Sequence, residues 1–149
     1  MSGEDIDREV RLHVYNSFLE QGRPPSSQET AAALGLGDDE AAASFARLEA
    51  AHVLVFAPGT TTIWMANPLS AVPTTFWTET PLGGFWGNCV WDAFGIVAML
   101  GGTGTVSTRC ADCGTLLELS VRDGVLEEQD GVAHFAVPAR HWWDNIGYT

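Results

Sequence analysis

Apolar positions in the first fifty residues recur at helical spacing. In "IDREVRLHVYNSFLEQG", Ile6, Val10, His13, Val14 and Phe18 share one face, which predicts a helix that Gly22 can end. "RPPSS" reads as a connector. "SSQETAAALGLG" then offers a serine cap with Glu29 close behind, Ala-Leu helix formers and a glycine stop. "DDEAAASFARLEAAHVLV" opens on acids suited to a helix N-terminus and carries Ala42, Phe45, Leu48 and Val53 near the 3.6 period. The pattern changes at "HVLVFAPGTTTIWMANP", where two β-rich runs flank Pro58-Gly59 and predict a hairpin.

Beyond it, "PLSAVPTTFWTETP" is a Pro- and Thr-rich crossing segment that places a boundary near residues 66 to 80. "NCVWDAFGIVAML" is apolar and helical in character, with Asn88 as its expected cap and Cys89 in its first turn. From residue 104 to 137 the chain alternates with period two. Turn signals at Asp112–Gly114, Asp123-Gly124 and Asp130-Gly131 predict three or four antiparallel strands. "ARHWWDNIGYT" is read as a short helix with a final strand. These elements predict an α+β protein. Residues 1–66 form a winged-helix-like module of three helices, and residues 67–149 a mixed α/β domain with a small antiparallel sheet.

Charge changes the reading of the first module. The 149 residues hold seven Arg, no Lys and nineteen acids, for a formal net charge of −12. Such a chain repels phosphate backbones. A third helix in a winged-helix arrangement usually reads DNA, yet this one sets Arg47 against four acids. A packing or substrate-covering role is therefore expected, and no nucleic-acid partner. No run reaches the length of a membrane span, and the acidic start lacks a secretory h-region. The expected setting is the cytoplasm, without a membrane partner, as a monomer or homodimer.

The chemistry-bearing residues are few. Cys89 and Asp92 stand three apart, on one face of a helix. A helix N-terminus favours a thiolate, and a carboxyl beside sulfur in an apolar site tends toward its protonated form. A soft nucleophile next to a proton donor suits attack on a soft electrophile. The plainer alternative is a buried thiol, with Asp92 capping a loop or pairing with Arg109 or Arg140. "RCADCG" brings Cys110 and Cys113 into the shape of a zinc knuckle or a redox dithiol, but no second such pair completes four ligands. Six Trp is a high count, and Trp77, Trp86, Trp91, Trp142 and Trp143 flank the Cys89 segment in sequence. Packing is their ordinary role, and an apolar cage for a small ligand is the functional one. His141, in "RHWWD", is the histidine nearest to this chemistry, and His13 and His52 read as structural.

Taken together, "IWMANPLSAVPTTF", "CVWDAFGIVAMLGG" and "TVSTRCADCGTLLELSV", following a helical module, resemble the alkylmercury lyase (organomercurial lyase, MerB-like) family from about residue 8 to about residue 145. The most specific pieces are "MANPLSAVPTTF", the Cys89/Asp92 pair and Arg109-Cys110 before a strand. The resemblance implies cleavage of a carbon–mercury bond. Cys89 would bind mercury as a thiolate, Asp92 would hand a proton to the leaving carbon, and Cys110 would be structural. Hg(II) would leave to a thiol acceptor, and the helical module would not read DNA. Mercury prefers sulfur, so the chemistry is sound.

One departure is plain. The family's late second cysteine is expected near Trp143 or Asp144, and "RHWWDNIGYT" has none. Cys113 is the substitute metal ligand beside Cys89; His141 or Asp144 would supply a harder one. Trp86, Trp91, His141 and Trp143 are the expected substrate-binding residues. The expected partner is a small-molecule substrate, with no cofactor required beyond a bound Hg(II) or other soft metal. Two further functions compete: a lyase, isomerase or cyclase acting on a small organic substrate in a biosynthetic pathway, and a thiol metal-binding protein built on Cys89, Cys110 and Cys113.

Overall fold

The computed structural model describes residues 2–127 and 130–148. Helix α1 (Gly3–Gln21) starts on a Ser2–Asp5 capping box and stops at Gly22, whose φ of 70° is left-handed. Its buried stripe is Ile6, Val10, Val14 and Phe18. Helix α2 (Ser27–Leu34) is capped by Ser26 and Glu29 in the predicted reciprocal manner. Helix α3 (Asp38–Ala50) buries Ala41, Ser44, Phe45 and Leu48. The inward alanine is thus Ala41, and Ala42 faces out.

Arg47 is already bound: its guanidinium meets both oxygens of Asp7 on α1 at 2.7 and 2.8 Å. Ser44 Oγ donates to the same carboxylate at 2.6 Å. The single cation of α3 therefore ties helix to helix, as the packing reading expects.

Strands β1 (Leu54–Phe56) and β2 (Ile63–Ala66) form the predicted hairpin, and β3 (Leu69–Ser70) adds a third antiparallel strand. The crossing segment is not all loop. It holds β3 and then β4 (Trp77–Thr80), which turns into β5 (Gly83–Trp86) in a hairpin that the sequence did not suggest. Helix α4 (Val90–Met99) follows. Strands β6 (Gly104–Arg109), β7 (Leu116–Arg122) and β8 (Val125–Leu126) complete a second, antiparallel sheet of order β5-β4-β6-β7-β8.

The protein is α+β, as expected. The fourth strand expected past Asp130 and the final strand after residue 144 are not among the described elements; a 3-10 helix spans Ala139–Asp144. Phe135 packs on Trp142, with ring centroids 5.3 Å apart, and the Trp142 indole donates to the Val137 carbonyl at 2.8 Å. The segment thus folds back on the 3-10 helix rather than along a sheet edge.

One buried cluster includes α1 (Val10, Val14, Phe18), α3 (Phe45, Leu48), the hairpin (Leu54, Ile63, Ala66) and, beyond it, Leu69, Phe85 and Ile96. A smaller one joins Ala93 and Val97 of α4 to Val106 of β6. Helix α4 therefore has its inner face shared between the two clusters, which fixes its first turn. No described helix is long and apolar enough to cross a membrane.

Candidate functional site

The start of α4 differs from the predicted cap. Cys89, not Asn88, is the N-cap residue, with extended backbone (φ −146°, ψ −177°), and its carbonyl accepts from Ala93 N–H at 2.9 Å. Asn88 makes a tertiary contact instead. Its amide donates to Asn67 Oδ1 at 3.3 Å and to the Pro68 carbonyl at 3.2 Å. Asn67 in turn donates to the His52 carbonyl at 3.1 Å, and its own carbonyl accepts from the Tyr15 hydroxyl. "MANP" thus positions the residue before Cys89 through side-chain amides.

The helical i, i+3 relation brings the expected pair together. Cys89 Sγ donates to Asp92 Oδ2 at 3.7 Å, a long sulfur hydrogen bond. Both residues are partly buried. Burial pushes the Asp92 carboxyl pKa up, partly opposed by hydrogen bonds from Asn88 and Cys89. This agrees with the expected drift toward the neutral acid. Burial is also the main cause of a raised Cys89 thiol pKa, and the nearby Asp92 charge adds to it. The expected lowering by the helix N-terminus is overturned in direction, because desolvation outweighs the N–H groups.

Near Asp92, the buried Asn88 Oδ1 has no hydrogen-bond partner among the described residues. A neutral Asp92 carries a donor of the kind this acceptor lacks. Tyr15 also lies within the field of Asp92, and its hydroxyl pKa is raised, chiefly by burial.

The other expected residues are dispersed. Trp91 is 66% exposed on the outer side of the first turn of α4. Trp86 packs edge-on to Trp77, centroids 4.5 Å apart. Trp143 stacks flat on His52 at 3.8 Å, with 7° between the planes. His141 Nδ1 lies 2.9 Å from Asp144 Oδ2, in an exposed pair. Arg109 donates to the Gly114 carbonyl and Arg140 to His141, so neither is the expected partner of Asp92.

Cys113 sits in the β6–β7 turn beside Cys110. Among the described residues, no three His, Cys, Asp or Glu side chains converge on one metal position. The residues that sequence reading missed are Tyr15, Asn67 and Gly87. The first two belong to the polar chain just described. At Gly87 an added Cβ would lie 2.8 Å from Ala93 N, so the backbone passes directly against the first turn of α4. The signal for Asn67 was the "MANP" motif itself, whose physical role becomes apparent only in three dimensions.

Comparisons with known proteins bear on the family and the fold. The family model described as alkylmercury lyase matches residues 69–149. Among solved structures, the mercury-bound form of MerB2 is similar, with a TM-score of 0.64 and 18% identity over 83% of this chain. The match covers 59% of that chain, so this protein spans less than two thirds of its length. At that identity the likeness is one of fold. No curated protein matches the chain.

Proposed function

The chain belongs to the alkylmercury lyase family, and on that premise we propose that it cleaves a carbon–mercury bond by protonolysis at Cys89 and Asp92. The observation that carries the proposal is the 3.7 Å contact between the Cys89 thiol and the Asp92 carboxyl in a partly buried setting.

In the substrate R–Hg–X, mercury is soft and takes sulfur even where the thiol is hard to ionise in water. As the Cys89 S–Hg bond forms, the thiol proton leaves and X departs. Asp92, held toward its neutral form, gives its proton to the carbon of R. The C–Hg bond breaks, R–H is released, and Hg(II) stays on Cys89 beside the Asp92 carboxylate. A thiol from solution then takes the ion, in the place of the cysteine missing from "RHWWDNIGYT". Its proton and one from water reset Asp92 and Cys89. We propose no organic cofactor, a small organomercurial substrate, and a reducing cytoplasmic setting that keeps the three cysteines as thiols.

The test is benzene release from phenylmercuric acetate with excess thiol, followed by gas chromatography. Asp92→Asn should lose on the order of a hundredfold or more in rate, as expected for removal of a positioned proton donor. Benzene from the parent chain no greater than from Cys89→Ser would overturn the proposal. That outcome would favour the second reading, supported by the missing late cysteine: a diverged member in which Asp92 acts as general acid on a small organic substrate.

A further inference from the structure

The β6–β7 turn holds two thiols that the proposed reaction leaves unused. Cys110 is half-buried and Cys113 exposed. The turn between them is closed by backbone hydrogen bonds: Cys110 N–H donates to the Thr115 carbonyl at 2.8 Å, and Gly114 N–H to the Cys110 carbonyl at 2.9 Å. The Arg109 guanidinium clasps the Gly114 carbonyl at 3.1 Å. Cys113 Sγ lies 3.1 Å from Thr115 Oγ1. Cys110 and Cys113 stand three residues apart, within that one closed turn. Two thiols are thus carried on one built turn, that of Cys113 open to solvent.

The ligand count decides which ion such a pair suits. Structural zinc takes four protein ligands. Among the described residues no third His, Cys, Asp or Glu side chain joins a cysteine pair. Soft ions that accept two thiolates need no more. We infer that Cys110 and Cys113 form a dithiolate site for inorganic Hg(II), separate from Cys89.

Loading is ligand exchange. Each Hg–S bond made to the protein breaks one Hg–S bond to a carrier thiol, and the protein thiol's proton passes to the departing thiolate. No electrons change hands. The site gives the ion released in the proposed reaction a place on the same chain, yet its test does not depend on that reaction.

The experiment uses the reduced Cys89→Ser chain, whose remaining thiols are Cys110 and Cys113. Mercuric chloride is added, the sample is desalted against excess monothiol, and retained mercury, free thiols and elution volume are measured. The expected result is one mercury per chain, no free thiol and unchanged elution volume. Adding Cys113→Ser, an exposed and structurally mild change, should weaken retention by about a hundredfold, because the second sulfur no longer acts within the molecule. Cys110→Ser, with circular dichroism to confirm folding, should do the same. Equal retention with and without Cys113 would overturn the assignment. So would half a mercury per chain with elution at doubled size, since that pattern means Cys113 bridging two molecules.

Discussion

Gly87→Ala tests the claim that close backbone packing sets the position of Cys89. The added Cβ would lie 2.8 Å from Ala93 N, 3.0 Å from its Cα and 3.2 Å from its Cβ. Two of these three are backbone atoms, so no flexible side chain can swing away. Restoring ordinary contact means opening the closest separation from 2.8 to 3.4 Å, a retreat of the first turn of α4. Gly87 is itself pinned: its N–H donates to the Phe76 carbonyl at 2.9 Å, and its carbonyl accepts from Thr74 Oγ1 at 2.6 Å. Helix α4 therefore gives way. Overpacking of this kind costs about 1–3 kcal/mol. For a chain of this size that is a fall of roughly 2–12 °C in Tm.

The displaced turn begins at Cys89, so the catalytic cost should exceed the stability cost. A misplacement near 1 Å is worth on the order of a hundredfold in rate. The assays are urea unfolding, with midpoint and slope compared, and benzene release well below the melting temperature. Gly3→Ala is the control, since its Cβ meets nothing within 4 Å and its position is helical. A Gly87→Ala chain within about 0.5 kcal/mol of the parent and with the parent's rate would refute the packing argument.

Two further substitutions should shift stability with pH in opposite directions. Burial raises the Asp92 pKa above its ordinary 3.8, so the folded state retains that proton. The associated stability is full below the unfolded value and lost as pH rises through the folded one. The urea midpoint of Asp92→Asn, relative to the parent, should therefore rise as pH climbs above the ordinary value of 3.8. A flat difference would refute this. Glu29 is held down to about 2 by the Arg23 guanidinium and the Ser26 cap. Its stabilisation is present above the unfolded value of 4.5 and lost as pH falls toward about 2. The deficit of Glu29→Gln should thus shrink on acidification, and the Arg23 share of it should shrink in high salt.

The helices were legible because their signals are local. The period of Val10, Val14 and Phe18 and the Ser26–Glu29 box each act within one or two turns. The Cys89–Asp92 pairing was legible for the same reason. What failed depended on distant partners. Asparagine is the better cap by preference, but Asn67 and Pro68, in the turn between β2 and β3, claim Asn88. The helix N-terminus should favour a Cys89 thiolate, but burial by residues remote in sequence reverses the sign.

The β4–β5 hairpin was masked by its Pro- and Thr-rich composition. Its cue was the aromatic pair Trp77 and Trp86, which face each other across the ladder. The family resemblance supplied the expected roles of Cys89 and Asp92, but not the distribution of the tryptophans: Trp77 packs on Trp86, Trp143 on His52 and Trp142 on Phe135.

The shared cluster has a consequence for how such a chain can change over time. Phe85 and Ile96, which flank the Cys89 turn on either side in sequence, belong to the same buried cluster as Val10, Val14 and Phe18 of α1. The segment that carries Cys89 therefore shares its interior with the helical module and is not a cassette independent of it. A helical module that resembles a detachable reading head thus completes the interior behind the Cys89 turn, so a change of volume in the α1 stripe is passed to the packing of α4.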